Sequence, residues 1–185
     1  MRMSLVPDLC LGSFQELTVS FLKEHQINAL ILDIDNTLIP YEESVPTPAV
    51  LTWLAELKEA GIAVAFVSNN HWPRLETFNA NLGYPGYAHS CKPSRRHMKK
   101  AMADLGADPA HTANMGDQIF TDVCCAHRCG ALALLVPPIK DKTDRGTRFK
   151  RRLEKGILKR FYKRNPDMPD VRLGSTIKWK EDEIT

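Results

Sequence analysis

Long hydrophobic runs are missing from this chain. The longest uninterrupted ones, residues 62–67 and 131–136, are far short of the ~20 residues that a membrane-spanning helix needs. A disulfide framework is missing too. The five cysteines are an odd number with no regular spacing, which reads as reduced thiols in a reducing compartment. Residues 1–14 contain Pro7 and Asp8 and lack a continuous apolar stretch, so they do not read as a signal peptide. There is no internal repeat and no low-complexity tract. With 43% hydrophobic and 25% charged residues, a disordered, collagen-like or coiled-coil chain is excluded. The expectation is a cytoplasmic protein, either free or peripheral on the cytosolic face of a membrane.

A length of 185 residues fits one domain, at the usual ~100–200 residues each. Charge within it is divided unevenly. Residues 140–164 carry twelve Lys/Arg against three Asp/Glu, a balance of +9, while the rest carries thirteen against nineteen, a balance of −6. The organisation expected is therefore a domain over 1–139 (core 27–139), a basic arm over 140–164 and a polar tail over 165–185. Such an arm seeks an anionic surface, lipid or nucleic acid.

Within the domain, short apolar runs alternate with longer amphipathic ones. Strands are predicted over 29–32, 62–67, 112–115 and 131–136, with a weaker one over 87–88. Helices are predicted over 48–60, 72–82, 94–105 and 119–128, and Gly61, Gly83, Gly106 and Gly130 follow them as C-terminal caps. Alternating strand and helix implies an α/β fold with a parallel sheet of about five strands, covered on both faces. Ligands of such sheets bind beyond the carboxyl ends of the strands.

The residues at those ends are the ones with chemistry. The first strand runs into Asp33-Ile34-Asp35-Asn36-Thr37-Leu38. Asp33 and Asp35 lie two residues apart and leave the strand on one side, where two like charges need a cation. Turn-forming Asp and Asn at a strand end are the plain alternative. Ser68-Asn69-Asn70 follows the second strand, where a hydroxyl can face the same crevice or cap a helix. Lys92 precedes a helix start and can neutralise an anion. The fourth strand ends in Met115-Gly116-Asp117-Gln118, with Asp122 five residues beyond Asp117. Converging carboxylates make an oxygen-rich site suited to Mg²⁺.

Taken in order, these four patches resemble the haloacid dehalogenase superfamily, whose pattern is DxDx(T/V)(L/V), Ser/Thr after a strand, Lys, then GDxxxxD. The match covers roughly residues 27–139. More narrowly, LDIDNTL, VSNN with Arg74 downstream, CKP and GDQIFTDV are similar to subclass IIIA phosphatases of the YqeG type, which are related to mitochondrial phosphatidylglycerophosphate phosphatases. The resemblance implies a Rossmann-like fold and a phosphomonoester hydrolase. It implies Asp33 as nucleophile through an aspartyl-phosphate and Asp35 as general acid and base. It also implies Mg²⁺ held by Asp33, Asp35 through its carbonyl, and Asp117, with Ser68 and Lys92 on the phosphoryl oxygens. Asp122 would stand behind as an orienting group, and Asn69 and Asn70 are further candidates for phosphate or substrate contact. Residues 39–67 and 69–91 leave no room for a cap domain, so the crevice suits a phosphate presented by something large.

Inside the basic arm, Phe149, Leu153, Ile157 and Phe161 recur every four residues, joined by Leu158 and Tyr162. A basic amphipathic helix of this kind is the pattern of an interfacial anchor, or of a helix packing its stripe on the domain. The leading expectation is hydrolysis of phosphatidylglycerophosphate at an anionic membrane surface. The alternatives are a phosphoprotein, nucleic-acid-end or small-ester phosphatase, and a non-catalytic RNA- or ribosome-binding scaffold; nucleic-acid binding is the weaker option because no recognition motif is present. Cys124, Cys125, His127 and Cys129 raise a zinc site, against which stands the absence of a CxxC pair.

Overall fold

The computed structural model describes residues 5–140, 153–154 and 156–159. Six parallel strands form one sheet: β1 (Leu9–Cys10), β2 (Ala29–Leu32), β3 (Ala63–Val67), β4 (Gly86–Tyr87), β5 (Thr112–Gly116) and β6 (Leu132–Leu135), in the order β1-β6-β5-β2-β3-β4. The register is continuous across the centre, with Leu32 level with Phe66 on one side and Met115 on the other. Between the strands run α1 (Val19–Glu24), α2 (Pro48–Glu59), α3 (Trp72–Asn79), α4 (Arg96–Asp104) and α5 (Cys124–Cys129).

Alternation along the strands builds two cores. Leu30, Leu32, Val64, Phe66 and Met115 point to the face covered by α1, α2 and α3, where they meet Leu22, Trp53, Leu54, Leu57 and Phe78. Ile31, Ala65, Val67, Ala133 and Leu135 point to the other face, against Met98, Met102, Val123 and Cys125. Burial on both sides explains why these strands read as continuous apolar runs. Capping fixes the helix starts. Thr47 accepts the Val50 N–H at 3.4 Å with Pro48 in the first turn, and Thr18 accepts the Phe21 N–H at 3.2 Å. Gly130 ends α5 at φ +83°, a conformation other residues adopt only with strain.

The sheet has one strand more than expected. Leu9 and Cys10 pair with Leu134 and Leu135, so the core reaches well ahead of residue 27, and Leu9, Leu11, Leu17 and Leu22 are buried within it. A two-residue strand and a six-residue helix are too short to show a period in sequence. The single helix expected over 119–128 is also divided: a π-helical turn (Ile119–Val123) precedes α5.

Most of the basic arm over 140–164, the expected amphipathic helix of 147–162 and the tail of 165–185 lie outside the described residues. Residues 153–154 and 156–159 are helical. Leu158 is buried in the second core, and the buried Glu154 carboxylate accepts the Ile119 N–H at 2.8 Å and the Phe120 N–H at 3.4 Å. The face that docks is thus Glu154 with Leu158, whereas Leu153, on the predicted stripe, is exposed.

The N-terminal segment is therefore part of the core. Leu9→Ala should lower stability by roughly 2–5 kcal/mol, as truncation of a fully buried leucine does. Leu51→Ala, on the exposed side of α2, should cost about 0.5 kcal/mol or less. Urea denaturation followed by circular dichroism measures both, and equal midpoints would contradict the placement of β1.

Candidate active site

Strand order reverses at β2: β3 and β4 lie to one side, β5, β6 and β1 to the other. Such a switch point opens a crevice at the carboxyl ends of the strands. The chain places its polar residues there. Asp33 follows β2, Ser68 follows β3, Lys92 lies beyond β4 and Asp117 follows β5. The crevice holds about 230 Å³ and is lined by Asp33, Asp35, Asn36, Tyr41, Ser68, Asn69, Asn70, Lys92, Gln118, Thr121 and Asp122.

Its floor is a cluster of opposed charges. Lys92 Nζ lies 2.7 Å from Asp33 Oδ1 and 2.7 Å from Asp122 Oδ1, with all three side chains nearly inaccessible. Thr37 Oγ1 donates to Asp33 Oδ2 at 3.4 Å. Asp33, Asp117 and Asp122 are buried, each with a carboxylate oxygen within 4.8 Å of the others. Burial pushes the Asp33 carboxyl up to about 7; Lys92 opposes this, and Asp122 and Asp117 add to it. Burial also works against the Lys92 ammonium, but Asp122 and Asp33 outweigh it and hold the group above the ordinary lysine range. Asp33 and Asp122 thus face one ammonium, and Asp117 lies beside them. The set is all oxygen and carries excess negative charge, which fits a hard divalent cation.

Asp122 reaches this cluster through the π-helical turn. Its Oδ2 accepts the Gln118 N–H at 3.2 Å and the Thr121 hydroxyl at 3.1 Å, which bends the chain back over Gly116. A Cβ at Gly116 would sit 2.2 Å from the Asp122 carboxylate carbon, so only glycine permits this approach. From the far side Glu154 secures the same turn through the Ile119 and Phe120 amides.

Asp35 is held differently. Arg74 donates to its Oδ1 from Nε at 3.0 Å and Nη2 at 2.8 Å, and Asn70 donates to its Oδ2 at 3.0 Å. The guanidinium is itself fixed by Ser44 Oγ (3.2 Å), the Pro40 carbonyl (3.3 Å) and the Tyr41 ring (5.8 Å to the centroid). Asn69 is turned toward Lys92: its Oδ1 accepts the Lys92 N–H at 2.6 Å, and its Nδ2 donates to the Lys92 carbonyl at 3.2 Å. Ser68 Oγ accepts the Asn70 N–H at 3.0 Å and lies at the crevice wall.

Asp33, Asp35, Ser68, Asn69, Lys92 and Asp122 are therefore brought to one crevice, with Asp117 beside Asp33 beneath it. Arg74 was visible in sequence only as part of a pattern, and its role as partner of Asp35 depends on α3 lying beside the 40–45 loop. Asn36, Tyr41, Gln118 and Thr121 carried no signal beyond adjacency to the motifs. The cysteines do not make a metal site: among the described residues only the three aspartates form a suitable group. His127 instead faces Asp8 at 3.0 Å, and the Cys125 thiol approaches the Ser94 carbonyl at 3.3 Å.

In sequence and in fold the chain is similar to known phosphatases. The family model described as "HAD-hyrolase-like" matches residues 90–155. The chain is 33% identical over 153 residues to the "Probable phosphatase YqeG" of Bacillus subtilis (strain 168), covering 83% of this chain and 89% of that protein. Among solved structures, the cobalt-bound deoxy-D-mannose-octulosonate 8-phosphate phosphatase (YrbI) of Haemophilus influenzae matches with a TM-score of 0.51 at 17% identity, covering 80% of this chain and 96% of that one. A hypothetical protein of Xanthomonas campestris matches at 0.51 and 18%, covering 69% and 73%. At these identities the structural likeness concerns the fold. The chain belongs to the haloacid dehalogenase-like hydrolases. Within that class it is a phosphatase, hydrolysing phosphomonoesters, and its aspartate cluster suits the divalent metal that such enzymes use.

Proposed function

We propose that the protein is a Mg²⁺-dependent phosphatase acting through an aspartyl-phosphate on a lipid phosphate, with phosphatidylglycerophosphate yielding phosphatidylglycerol as the best fit. The observation that carries the chemistry is the buried cluster of Asp33, Asp117 and Asp122 around Lys92. Asp33, the Asp35 carbonyl and Asp117 would hold Mg²⁺, which when bound screens the negative charge that otherwise separates carboxylate from phosphate.

The remaining steps belong to the chain. An Asp33 carboxylate oxygen attacks phosphorus in line, and the bond from phosphorus to the ester oxygen breaks. Asp35 gives its proton to the departing alkoxide. Asp35, now a carboxylate, takes a proton from water, which attacks the aspartyl-phosphate, releasing inorganic phosphate and restoring Asp33. Lys92 and Ser68 bind the phosphoryl oxygens throughout, and Asn69 keeps Lys92 in place through its backbone. Asp122 holds the Lys92 ammonium toward Asp33. Arg74 and Asn70 are positioning residues that fix both oxygens of Asp35.

The lipid reading is supported by three features. The crevice is open, with no cap over it among the described residues. Residues 140–164 carry a charge of +9. Where part of that segment is described, it leaves Leu153 facing outward. No helix among the described residues is long and apolar enough to cross a membrane, so contact would be peripheral.

Asp33→Asn should abolish turnover while preserving the fold, and chelation should silence the native enzyme until Mg²⁺ is returned. Losing an essential nucleophile costs several orders of magnitude, so retention of more than about a tenth of the rate would exclude covalent catalysis by Asp33. Arg74→Ala should reveal itself through the leaving group. Turnover of an alkyl phosphate, which needs a proton from Asp35, should fall at least about tenfold further than turnover of an activated aryl phosphate. Equal losses would make Arg74 a structural residue only. The substrate is tested by steady-state kinetics on four phosphomonoesters: a lipid phosphate in detergent, an aryl phosphate, a phosphopeptide and a 5′-phosphorylated oligonucleotide. Phosphatidylglycerophosphate should lead in kcat/KM by about a hundredfold. A lead by any other member would replace the substrate assignment and leave the chemistry standing.

A further inference from the structure

Six large hydrophobic side chains are exposed among the described residues: Tyr41, Val45, Leu51, Trp72, Ile139 and Leu153. Scattered apolar residues are ordinary on a protein surface. Most of the six stand close in the chain to crevice residues or to their partners. Tyr41, 43% exposed, lines the crevice, and Val45, 58% exposed, stands on the same loop. Trp72, 47% exposed, opens α3 two residues after the crevice residue Asn70, and Arg74 ties α3 to that loop through Pro40, Tyr41 and Ser44. Ile139, also 47% exposed, donates its N–H to the carbonyl of Asn36, another crevice residue, at 3.1 Å. Leu153 precedes Glu154, which binds the turn just after the crevice residue Gln118.

We infer that this apolar rim is an interfacial seat, inserted into an anionic bilayer surface around the phosphate headgroup that enters the crevice. The inference rests on the lipid-phosphate reading and adds to it where the lipid is gripped. Residue type favours this occupant, since tryptophan and tyrosine are amphipathic and concentrate at the membrane–water boundary. Charge favours it too. In sequence the segment 140–164, with its balance of +9, follows Ile139 directly, and an occupant both apolar and anionic suits that charge. Of the acidic groups on the rim loop, Glu42 is answered by Lys140 at 3.5 Å, and Glu43 is a single charge against that excess. Access favours it finally. A protein seated on this rim would close the crevice, whereas a fluid headgroup layer offers its own phosphates to it.

Trp72 is made the reporter by the substitution Trp179→Phe throughout, because Trp53 is buried and hydrogen-bonded to the Leu17 carbonyl at 3.0 Å. The full chain is titrated with vesicles of phosphatidylglycerol and phosphatidylcholine, which contain no phosphomonoester, so binding is read independently of turnover. A blue shift of emission that brominated acyl chains quench, and that Trp72→Phe removes, is expected. The combined change Val45→Ser, Trp72→Ser, Ile139→Ser should weaken vesicle binding at least about tenfold, since apolar burial is lost at three positions. Its turnover of a soluble aryl phosphate should be unchanged. Vesicle binding without a Trp72 response, or undiminished in the triple variant, would show that charge alone holds the protein and would overturn the seat. Concentration-dependent self-association that the triple variant abolishes would assign the rim to a second copy, also overturning it. Insertion of Trp72 without lipid-phosphate turnover would leave the seat standing and remove the substrate.

Discussion

The site turns on an imbalance of buried charge. The Lys92 ammonium pairs with both Asp33 and Asp122, and Asp117 brings a third carboxylate against those two. Ions out of water are costly unless paired, and truncating one member of such a pair leaves the other uncompensated. Much nearby structure serves this cluster. Gly116 lets Asp122 lean over the end of β5, and Gln118 and Thr121 hold it there. Asn69 fixes the Lys92 backbone by binding both its N–H and its carbonyl. The sheet supplies the last requirement: β2, β3 and β5 are adjacent and parallel, so their ends deliver groups from distant parts of the chain to one place.

That delivery is why so much could be read from the sequence. Each strand is buried on both faces and ends where its apolar run ends, so Asp33, Ser68 and Asp117 mark strand ends as well as chemistry. Short elements were not legible. Leu9–Cys10 and Val19–Glu24 carry no period, and their role in the core depends on the edge of β6 and on α2 rather than on their own pattern. The π-helical turn was likewise hidden, because a widened turn differs from a helix by one residue of hydrogen-bond register. Arg74 shows the limit for side chains: its partner Asp35 is 39 residues away, and only the packing of α3 beside the loop after β2 brings them together.

The C-terminal segment is expected to act either as an anchor or as a packed helix, and its described part packs on the domain. Glu154 and Leu158, four residues apart, face the domain, and the carboxylate satisfies two amides that the first turn after Gln118 leaves without helical partners. The same turn carries Asp122. A pull on this helix is therefore felt one turn away from the carboxylate cluster, while Leu153 remains on the outside. Buried Leu158 and exposed Leu153 are compatible in one helical segment, because they occupy different angles around its axis.

Among the described residues no lid covers the crevice, so its order must come from elsewhere. Lids ordinarily exclude water and complete the catalytic constellation on closing. Here Asp35 is already fixed through both oxygens, and Arg74, which fixes it, is tied to Pro40, Ser44 and Tyr41 on the loop that forms the crevice wall. The group assigned to proton transfer is thus placed before any substrate arrives, and its ordering cost is met by folding rather than by binding. Rigid placement of that kind suits a substrate that cannot be enclosed. A phosphate fixed to a surface approaches from one direction only, and the groups that meet it must already be aimed along that path.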